Sequence, residues 1–177
     1  ITHTLTGYYR ATLAESEREE IRTDFLKVAQ ELAAPPVKFF THRDYHSRNI
    51  MIHHNRQYII DFQDARLGLF QYDLASLLYD AYAPINATLR TKLAHFAYEQ
   101  GKDIHRQTRG EFDEALKLSA FQRVVKAMGT FGRQAALGRA DFAAYLEPAW
   151  QMLAEITRDD VNLRGITFFI ESLIEKE

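Results

Sequence analysis

Residues 42–49, with the sequence HRDYHSRN, hold the side chains whose types and spacing are best suited to chemistry. Asp44 and Asn49 stand five residues apart, and Asp61 follows Asn49 by twelve residues in the run YIIDFQD. Phosphoryl transfer requires a carboxylate that accepts the proton of the attacking hydroxyl, and oxygen ligands that hold Mg²⁺ against the nucleotide phosphates. We therefore predict Asp44 as the catalytic base, and Asn49 and Asp61 as the ligands of Mg²⁺ and, through it, of ATP.

The spacing of these residues is that of the kinase catalytic loop, in which His-Arg-Asp precedes four variable residues and Asn, and a metal-binding Asp comes later. A single Asp or Asn in a polar loop more often satisfies the backbone of a turn. The addition of Asp61 favours phosphoryl transfer over that structural interpretation. Two departures weaken a protein-kinase interpretation: His46 replaces the usual Lys, and Gln63 replaces the Gly of Asp-Phe-Gly.

His42 and His46 stand on either side of Asp44 and also suggest a zinc site. Two ligands four residues apart share a face only in a helix, and these residues are predicted to lie between strands. We predict that His42 is structural support, hydrogen-bonded beneath the loop. We predict that His46 approaches the phosphates or the substrate.

Helical periodicity, bounded by cap signals, accounts for most of the chain. Ser16 and Glu19 form a predicted capping box, and Gly101 and Gly138 are predicted C-caps. Apolar, β-branched and aromatic runs predict short strands at residues 37–41, 49–54 and 57–61, the last two joined as a hairpin. The predicted fold is mainly α with a small β-hairpin, an α+β class, with helices over residues 16–32, 72–82, 87–100, 111–137, 141–157 and 163–175.

The composition is that of a globular domain with little net charge. The 177 residues include 22 Lys and Arg, 24 Asp and Glu and no Cys, for a net charge of −2. No overall basic charge attracts nucleic acid or an anionic membrane, and the absence of Cys excludes disulfides and thiolate metal sites. We expect one cytoplasmic domain that binds small molecules and neither nucleic acid nor a membrane. The oligomeric state stays open.

The segment IIDFQDARLGLFQYDLASLLYD resembles the aminoglycoside phosphotransferases and choline kinases, in which a metal Asp is followed by Asp-Ala, a Gly and a later Asp-Leu-Ala. The resemblance implies a protein kinase-like fold, of which residues 1–177 would form the C-terminal catalytic lobe. It implies that Asp61 is the metal ligand and that Asp73 is structural support, buried under the loop and accepting its backbone N–H groups. Gly7 is the only glycine before His42, and no strand Lys is recognisable there. We therefore expect the N-terminal nucleotide-binding lobe to be absent from this chain.

The runs HRDYHSRNIM, IDFQDA, YDLASLLYD and AFQRVVKAMGTFGR are most similar to bacterial kinases that phosphorylate N-acetylmuramate and N-acetylglucosamine at the anomeric hydroxyl. The similarity implies a nucleotide and an amino sugar as the partners. Residues 115–140 contain five basic side chains and no acidic one, on a predicted helix whose polar face includes Arg123 and Lys126. Since this face would repel a polycation, we predict that His46, Arg123 and Lys126 contact a neutral or anionic sugar.

Three other functions are compatible with the sequence. An aminoglycoside phosphotransferase would share the catalytic residues and differ in its acceptor. A non-catalytic binding domain would keep the kinase scaffold without a nucleotide lobe. A hydrolase would combine His42, Asp44 and His46 around zinc.

Overall fold

The computed structural model describes residues 14–35, 38–158, 160, 163 and 165–167. The helices are α1 (Glu15–Ala33), α2 (Phe70–Leu78), α3 (Ala87–His105), α4 (Arg109–Ala136) and α5 (Leu146–Thr157). The strands are β1 (Phe39–Thr41), β2 (Ile50–His53), β3 (Arg56–Ile59) and β4 (Arg66–Gly68), and 3₁₀ turns cover Ser47–Asn49 and Ala140–Tyr145. The mainly helical fold with short strands confirms the predicted class. No helix in the described part of the chain is long and apolar enough to span a membrane.

The chain divides into two compact units, and the second, Pro35–Arg123, contains all four strands. In this unit β1 pairs antiparallel with β4, and β2 pairs antiparallel with β3, with Thr41 opposite Arg66 and Ile50 opposite Ile59. The β2–β3 turn consists of His54 and Asn55, whose φ angles are 46° and 57°. Two positive φ angles in succession are typical of a type I′ turn, which favours Asn and matches the twist of a hairpin. The predicted hairpin is thus confirmed, with its turn at His54 and Asn55.

The core of the second unit is an aromatic cluster between α2, α3 and the start of α4. The ring of Phe112, which is fully buried, lies 5.3 Å from that of Tyr98 and 5.0 Å from that of His105. Phe70 of α2 contacts the same cluster, with its ring 5.3 Å from that of His105. These contacts hold α2, and therefore Asp73 on it, against the rest of the unit.

The prediction that Gly101 caps α3 is wrong, because the helix continues through this glycine to His105. A Cβ atom at Gly101 would come within 2.7 Å of the Phe70 ring, so the glycine permits the close approach of α2. The cap is Arg106 instead, with a left-handed φ of 54°. The predicted C-cap Gly138 is confirmed, since it adopts a φ of 88° just after α4 ends.

The first unit combines the residues up to Ala34 with those from Val124 onward. α1 begins at Glu15, and the backbone N–H of Ala14 donates to Glu17 Oε2 over 2.7 Å. The predicted capping box of Ser16 and Glu19 is therefore wrong by two residues. The predicted helix 163–175 lies mostly outside the described residues. Of its described members, Ile166 donates its N–H to the buried carboxylate of Asp24 in α1 over 3.3 Å.

The polar face predicted for α4 is not uniformly exposed. Ser119 and Arg123 are buried, with 0% and 7% of their surface exposed. Gln122, Lys126 and Arg133 on the same helix are exposed. Helical periodicity identified the polar stripe correctly, but it could not show which polar residues other elements cover.

Candidate active site

The catalytic loop, residues 42–49, runs from the end of β1 to the start of β2. Arg43 has a φ of 73°, in the left-handed region that non-glycine residues rarely adopt. Such a conformation costs about 1–3 kcal/mol and persists only where surrounding contacts enforce it. Those contacts come from α2, from the segment that follows α2, and from α4.

Asp73 on α2 binds the backbone at the beginning of the loop. Its Oδ2 accepts the N–H of His42 over 2.6 Å, and its Oδ1 accepts the N–H of Arg43 over 2.9 Å. The residue is partly buried. A carboxylate that accepts two backbone N–H groups makes charge-assisted hydrogen bonds, which are stronger than neutral ones. Asp73 thus has the contacts expected of loop support.

His42 is buried, and both of its ring nitrogens contact backbone groups. Nε2 lies 2.9 Å from the carbonyl oxygen of Ile60, and Nδ1 accepts the N–H of Asp44 over 3.3 Å. Only the neutral tautomer with its proton on Nε2 satisfies both contacts. That tautomer leaves His42 no lone pair for a metal ion. The geometry therefore does not favour the zinc hydrolase, and the described residues contain no cluster of three or more His, Asp or Glu side chains suited to a metal.

Asp80, two residues after the end of α2, holds the second half of the loop. Only 5% of it is exposed. Its Oδ2 accepts the N–H of Ser47 over 2.8 Å, and its Oδ1 accepts the N–H of Tyr82 over 2.9 Å. No motif in the sequence singles out this residue. On the helix predicted over residues 72–82, its spacing of seven residues from Asp73 would put both side chains on one side. In the structure α2 ends at Leu78, and Asp80 reaches the loop from the segment that follows.

The ring of Tyr82 joins the same segment to the loop side chains. Its centroid lies 5.3 Å from that of the His46 ring and 3.8 Å from the guanidinium carbon of Arg48. An arginine over an aromatic face makes a favourable cation–π contact. His46 is therefore packed between this ring and Asp44.

The carboxylate of Asp44 meets a different side chain at each oxygen. Oδ1 lies 3.2 Å from Nη2 of Arg123, and Oδ2 lies 3.3 Å from Nε2 of His46. Nη1 of Arg123 also donates to the carbonyl oxygen of Arg43 over 3.1 Å. The Asp44 side chain is 39% exposed, so an acceptor hydroxyl can reach it.

Asn49 and Asp61 lie at the same end of the β2–β3 hairpin, next to its strands. The backbone N–H of Ile60 donates to the Asn49 carbonyl over 3.0 Å, which extends the β ladder and places Asp61 one residue beyond. Asn49 is buried, and its Nδ2 donates to the Asp44 carbonyl over 2.9 Å. Asp61 is exposed, with a φ of 67°, and its Oδ1 accepts a hydrogen bond from Gln63. Because the Asn49 amide donates through its nitrogen, its Oδ1 is the atom of this side chain that is suited to a metal.

The structure brings together most of the predicted site residues. Asp44, His46, Asn49 and Arg123 are linked by direct contacts, and Asp61 adjoins them through the hairpin. Lys126 is exposed and belongs to the first unit. The roles assigned to all of these residues stay predictions.

Comparison with known proteins agrees with the class of enzyme that this loop defines. Residues 3–114 match the phosphotransferase enzyme family (APH), and the chain belongs to this family. The predicted family is thus confirmed.

Two curated relatives share a printed name, N-acetylmuramate/N-acetylglucosamine kinase. The protein of Neisseria meningitidis serogroup B is 30% identical over 158 residues, which cover 77% of this chain and 47% of the relative. The protein of Pseudomonas putida is 33% identical over 116 residues, covering 63% of this chain and 33% of the relative. The chain therefore spans about half the length of the first relative and a third of the second.

Proposed function

We propose that this chain is the catalytic C-terminal lobe of an ATP-dependent kinase that phosphorylates a hydroxyl of an amino sugar such as N-acetylmuramate or N-acetylglucosamine. The observation that carries the proposal is the exposed Asp44 carboxylate on a rigidly held loop, with Asn49 and Asp61 beside it. A base, an amide oxygen and a second carboxylate are the groups that the catalytic loop of a kinase and the metal-binding Asp after it contribute to phosphoryl transfer.

Asp44 is suited to act on the acceptor. An acceptor hydroxyl would donate its hydrogen bond to the Asp44 carboxylate while its oxygen approaches the γ-phosphorus of ATP. The proton passes to the carboxylate as the new P–O bond forms, and ADP leaves with the electrons of the bond that breaks. Orientation dominates this step, since the transition state is loose and the protein contributes mainly positioning and charge stabilisation.

Asn49 and Asp61 fit a Mg²⁺ ion. Mg²⁺ prefers oxygen ligands and is commonly bound by one or two carboxylates together with nucleotide phosphates, so a complete protein cage is not needed. When bound, the ion would neutralise the charge that develops on the transferred phosphoryl group. Asp61 would contribute its carboxylate, and Asn49 its side-chain oxygen.

Two observations support an amino sugar as the acceptor. Both relatives described above are named as kinases of N-acetylmuramate and N-acetylglucosamine. In addition, the loop itself carries Arg43 and Arg48, whose charges disfavour a polycationic aminoglycoside and tolerate a neutral or anionic sugar. His46 and Lys126 remain candidates for sugar contacts.

The test is an acceptor screen with the gene product that contains this chain, in the presence of ATP and Mg²⁺. We expect ADP release and a phosphorylated product with N-acetylmuramate or N-acetylglucosamine, identified by mass spectrometry. Asp61→Ala should abolish both transfer and Mg²⁺-dependent nucleotide binding, whereas Asp103→Ala, which removes an exposed carboxylate on α3, should preserve them.

Two outcomes of the screen would contradict the proposal. Transfer to aminoglycosides and to no sugar would identify a different acceptor class. Nucleotide binding without transfer to any hydroxyl would identify a binding domain that retains the kinase scaffold.

A further inference from the structure

Arg123 is a buried cation in contact with the catalytic loop. Its guanidinium binds both the backbone carbonyl of Arg43 and the side-chain carboxylate of Asp44. Nη1 donates to the carbonyl oxygen of Arg43 over 3.1 Å, and Nη2 lies 3.2 Å from Asp44 Oδ1. The guanidinium carbon also stands 5.6 Å from the ring centre of Tyr72 on α2. With 7% of its surface exposed, Arg123 has little area left for a bound sugar.

We propose that Arg123 is a positioning residue, which fixes the Asp44 carboxylate through Oδ1 and leaves Oδ2 as the oxygen that accepts the proton of the acceptor hydroxyl. This inference rests on the proposed function, and it replaces the predicted contact between Arg123 and the sugar. A planar guanidinium is suited to the task, because its donors have a fixed geometry and it remains charged at all relevant pH values.

The backbone conformation of Arg43 explains why the contacts of Arg123 with this dipeptide are needed. With a φ of 73°, the Arg43–Asp44 peptide would relax toward a more common conformation if it were not held. Asp73 holds the N–H of Arg43, and Arg123 holds its C=O, so the residue is restrained from both sides. Rotation of this peptide would move the Asp44 carboxylate out of line with the transferred phosphoryl group.

The two oxygens of the Asp44 carboxylate have different partners, His46 at Oδ2 and Arg123 at Oδ1. His46 Nε2 approaches Oδ2 at 3.3 Å, about as close as Arg123 comes to Oδ1, but the guanidinium also donates to the Arg43 carbonyl and is always charged. An acceptor hydroxyl can therefore replace His46 at Oδ2 more easily than it can replace Arg123 at Oδ1. In the reaction, the hydroxyl proton goes to Oδ2, the acceptor oxygen bonds to the γ-phosphorus, and ADP departs.

The test compares Arg123→Met and Arg123→Lys with Arg133→Met, an exposed arginine on the same helix, in the gene product that contains this chain. We expect Arg123→Met to lower kcat by about 10²-fold, the usual effect of a small misplacement of a catalytic group. The KM values for ATP and for the sugar should stay within about twofold of the parent. Arg123→Lys should lose less kcat than Arg123→Met, because an ammonium can reach either the Arg43 carbonyl oxygen or Asp44 Oδ1, though not both. Arg133→Met should have the kcat and KM of the parent.

A double variant separates positioning from a general structural effect. If Arg123 acts through Asp44, Asp44→Asn combined with Arg123→Met should be no slower than Asp44→Asn alone. An additive loss would overturn the proposal, and so would a raised KM for the sugar with unchanged kcat, which would indicate a direct substrate contact. If Arg123→Met does not fold, Arg123→Lys replaces it in the comparison with Asp44→Asn, and the same two outcomes support or overturn the proposal.

One readout does not depend on turnover. Backbone amide exchange at Asp44, whose N–H belongs to the same peptide as the Arg43 carbonyl, should be about tenfold faster in Arg123→Met, the effect of losing roughly one hydrogen bond, and unchanged in Arg133→Met. Unchanged exchange in Arg123→Met would overturn the positioning role. Faster exchange in a protein that phosphorylates no hydroxyl would instead contradict the proposed function and leave the restraint on the loop established.

Discussion

At the scale of single residues, Asp44 depends on side chains that are distant in sequence. Arg123, which contacts its Oδ1, lies 79 residues later, and the Asp73 that restrains the preceding residue lies 30 residues from Arg43. The loop sequence alone therefore supplies the reactive group without fixing its orientation. A change at Asp44 itself should affect chemistry much more than folding.

We predict that Asp44→Asn lowers kcat by about 10²–10⁴-fold, the contribution of a positioned base. Because the transition state of phosphoryl transfer is loose, the lower end of this range is the better expectation. The Asn side chain keeps an oxygen for Arg123, so the thermal midpoint should match that of the parent. Steady-state kinetics and thermal melting measure the two effects, with Asp103→Asn as the matched control.

Full activity in Asp44→Asn would remove Asp44 from the mechanism. A large loss of stability would instead mean that the negative charge on this side chain holds the loop together.

At the scale of elements, α2 and the segment after it provide two carboxylates that fix the loop. Asp73 binds its beginning, at His42 and Arg43, and Asp80 binds Ser47 near its end. These contacts are to backbone N–H groups, so they act on the path of the chain and not on the reactive side chains. Removing either carboxylate leaves partly buried N–H donors without an acceptor.

We predict that Asp73→Ala and Asp80→Ala each lower the free energy of unfolding by about 1–3 kcal/mol, the usual effect of stranding buried donors. Asp80 should be the more sensitive, because it is the more buried of the two. Urea denaturation of both variants beside Asp103→Ala measures the difference. If Asp73→Ala unfolded at the same urea concentration as the parent, the assignment of Asp73 as loop support would be wrong.

The start of α4 carries a capping box formed by Thr108 and Glu111. Glu111 Oε2 accepts from both the backbone N–H and the hydroxyl of Thr108, over 2.7 and 2.8 Å, and the Thr108 hydroxyl accepts the N–H of Glu111. The hydrogen bonds from Thr108 lower the pKa of Glu111 below its usual value. A lowered pKa in the folded state means that the ionised form is preferred on folding.

We predict that Glu111→Gln reduces stability at pH 7 and that this difference disappears in acid. A group with a lowered folded pKa stabilises fully above its unfolded pKa, near 4.3 for Glu, and loses that stabilisation as the pH falls through the folded pKa. Melting curves of parent and variant between pH 7 and about pH 2.5 measure it. A constant difference over this range would show that the charge of Glu111 contributes nothing.

The sequence predicted those features of the elements that depend on neighbouring residues, and it failed for those that depend on contacts between residues far apart in the chain. The hairpin and the C-cap at Gly138 follow from local turn and cap preferences, and both were predicted. Gly101 was wrongly predicted as a cap because the reason for a glycine at this position is its close contact with Phe70, 31 positions away. No local sequence pattern contains that contact. Similarly, helical periodicity placed Arg123 on a polar face, and only the folded loop shows what that face touches.

At the scale of the whole molecule, the chain spans about half the length of its N. meningitidis relative. Its candidate catalytic residues come from one unit, Pro35–Arg123, while the sequence offers no Gly-rich loop and no strand Lys before His42. Kinases use such a loop and Lys to cover and hold the nucleotide phosphates. One short loop was enough to predict the residue types of a candidate catalytic site, whereas no sequence pattern before His42 predicted a nucleotide-covering element.

We predict that the 177-residue chain alone neither binds ATP tightly nor transfers phosphate, although it contains Asp44, Asn49 and Asp61. Mg²⁺ binds weakly without phosphates that are themselves held in place. Calorimetry with ATP and Mg²⁺, together with a transfer assay on N-acetylmuramate, measures both, and the N. meningitidis relative is the positive control. Micromolar ATP affinity or clear turnover would mean that residues 1–37 do the work of a nucleotide lobe.

The pairing of β1 with β4 around the β2–β3 hairpin has a consequence for the order of folding. The inner hairpin closes through a two-residue turn, a step that takes about 1–10 μs, and it shortens the loop that must then close for β1 to meet β4. The two connections between the inner and outer pairs are residues 42–49 and 60–65, which contain Asp44 and Asp61. These segments therefore take their final paths only when the outer pair forms, after the inner hairpin, so Asp44 and Asp61 are brought together by the later of the two pairing steps.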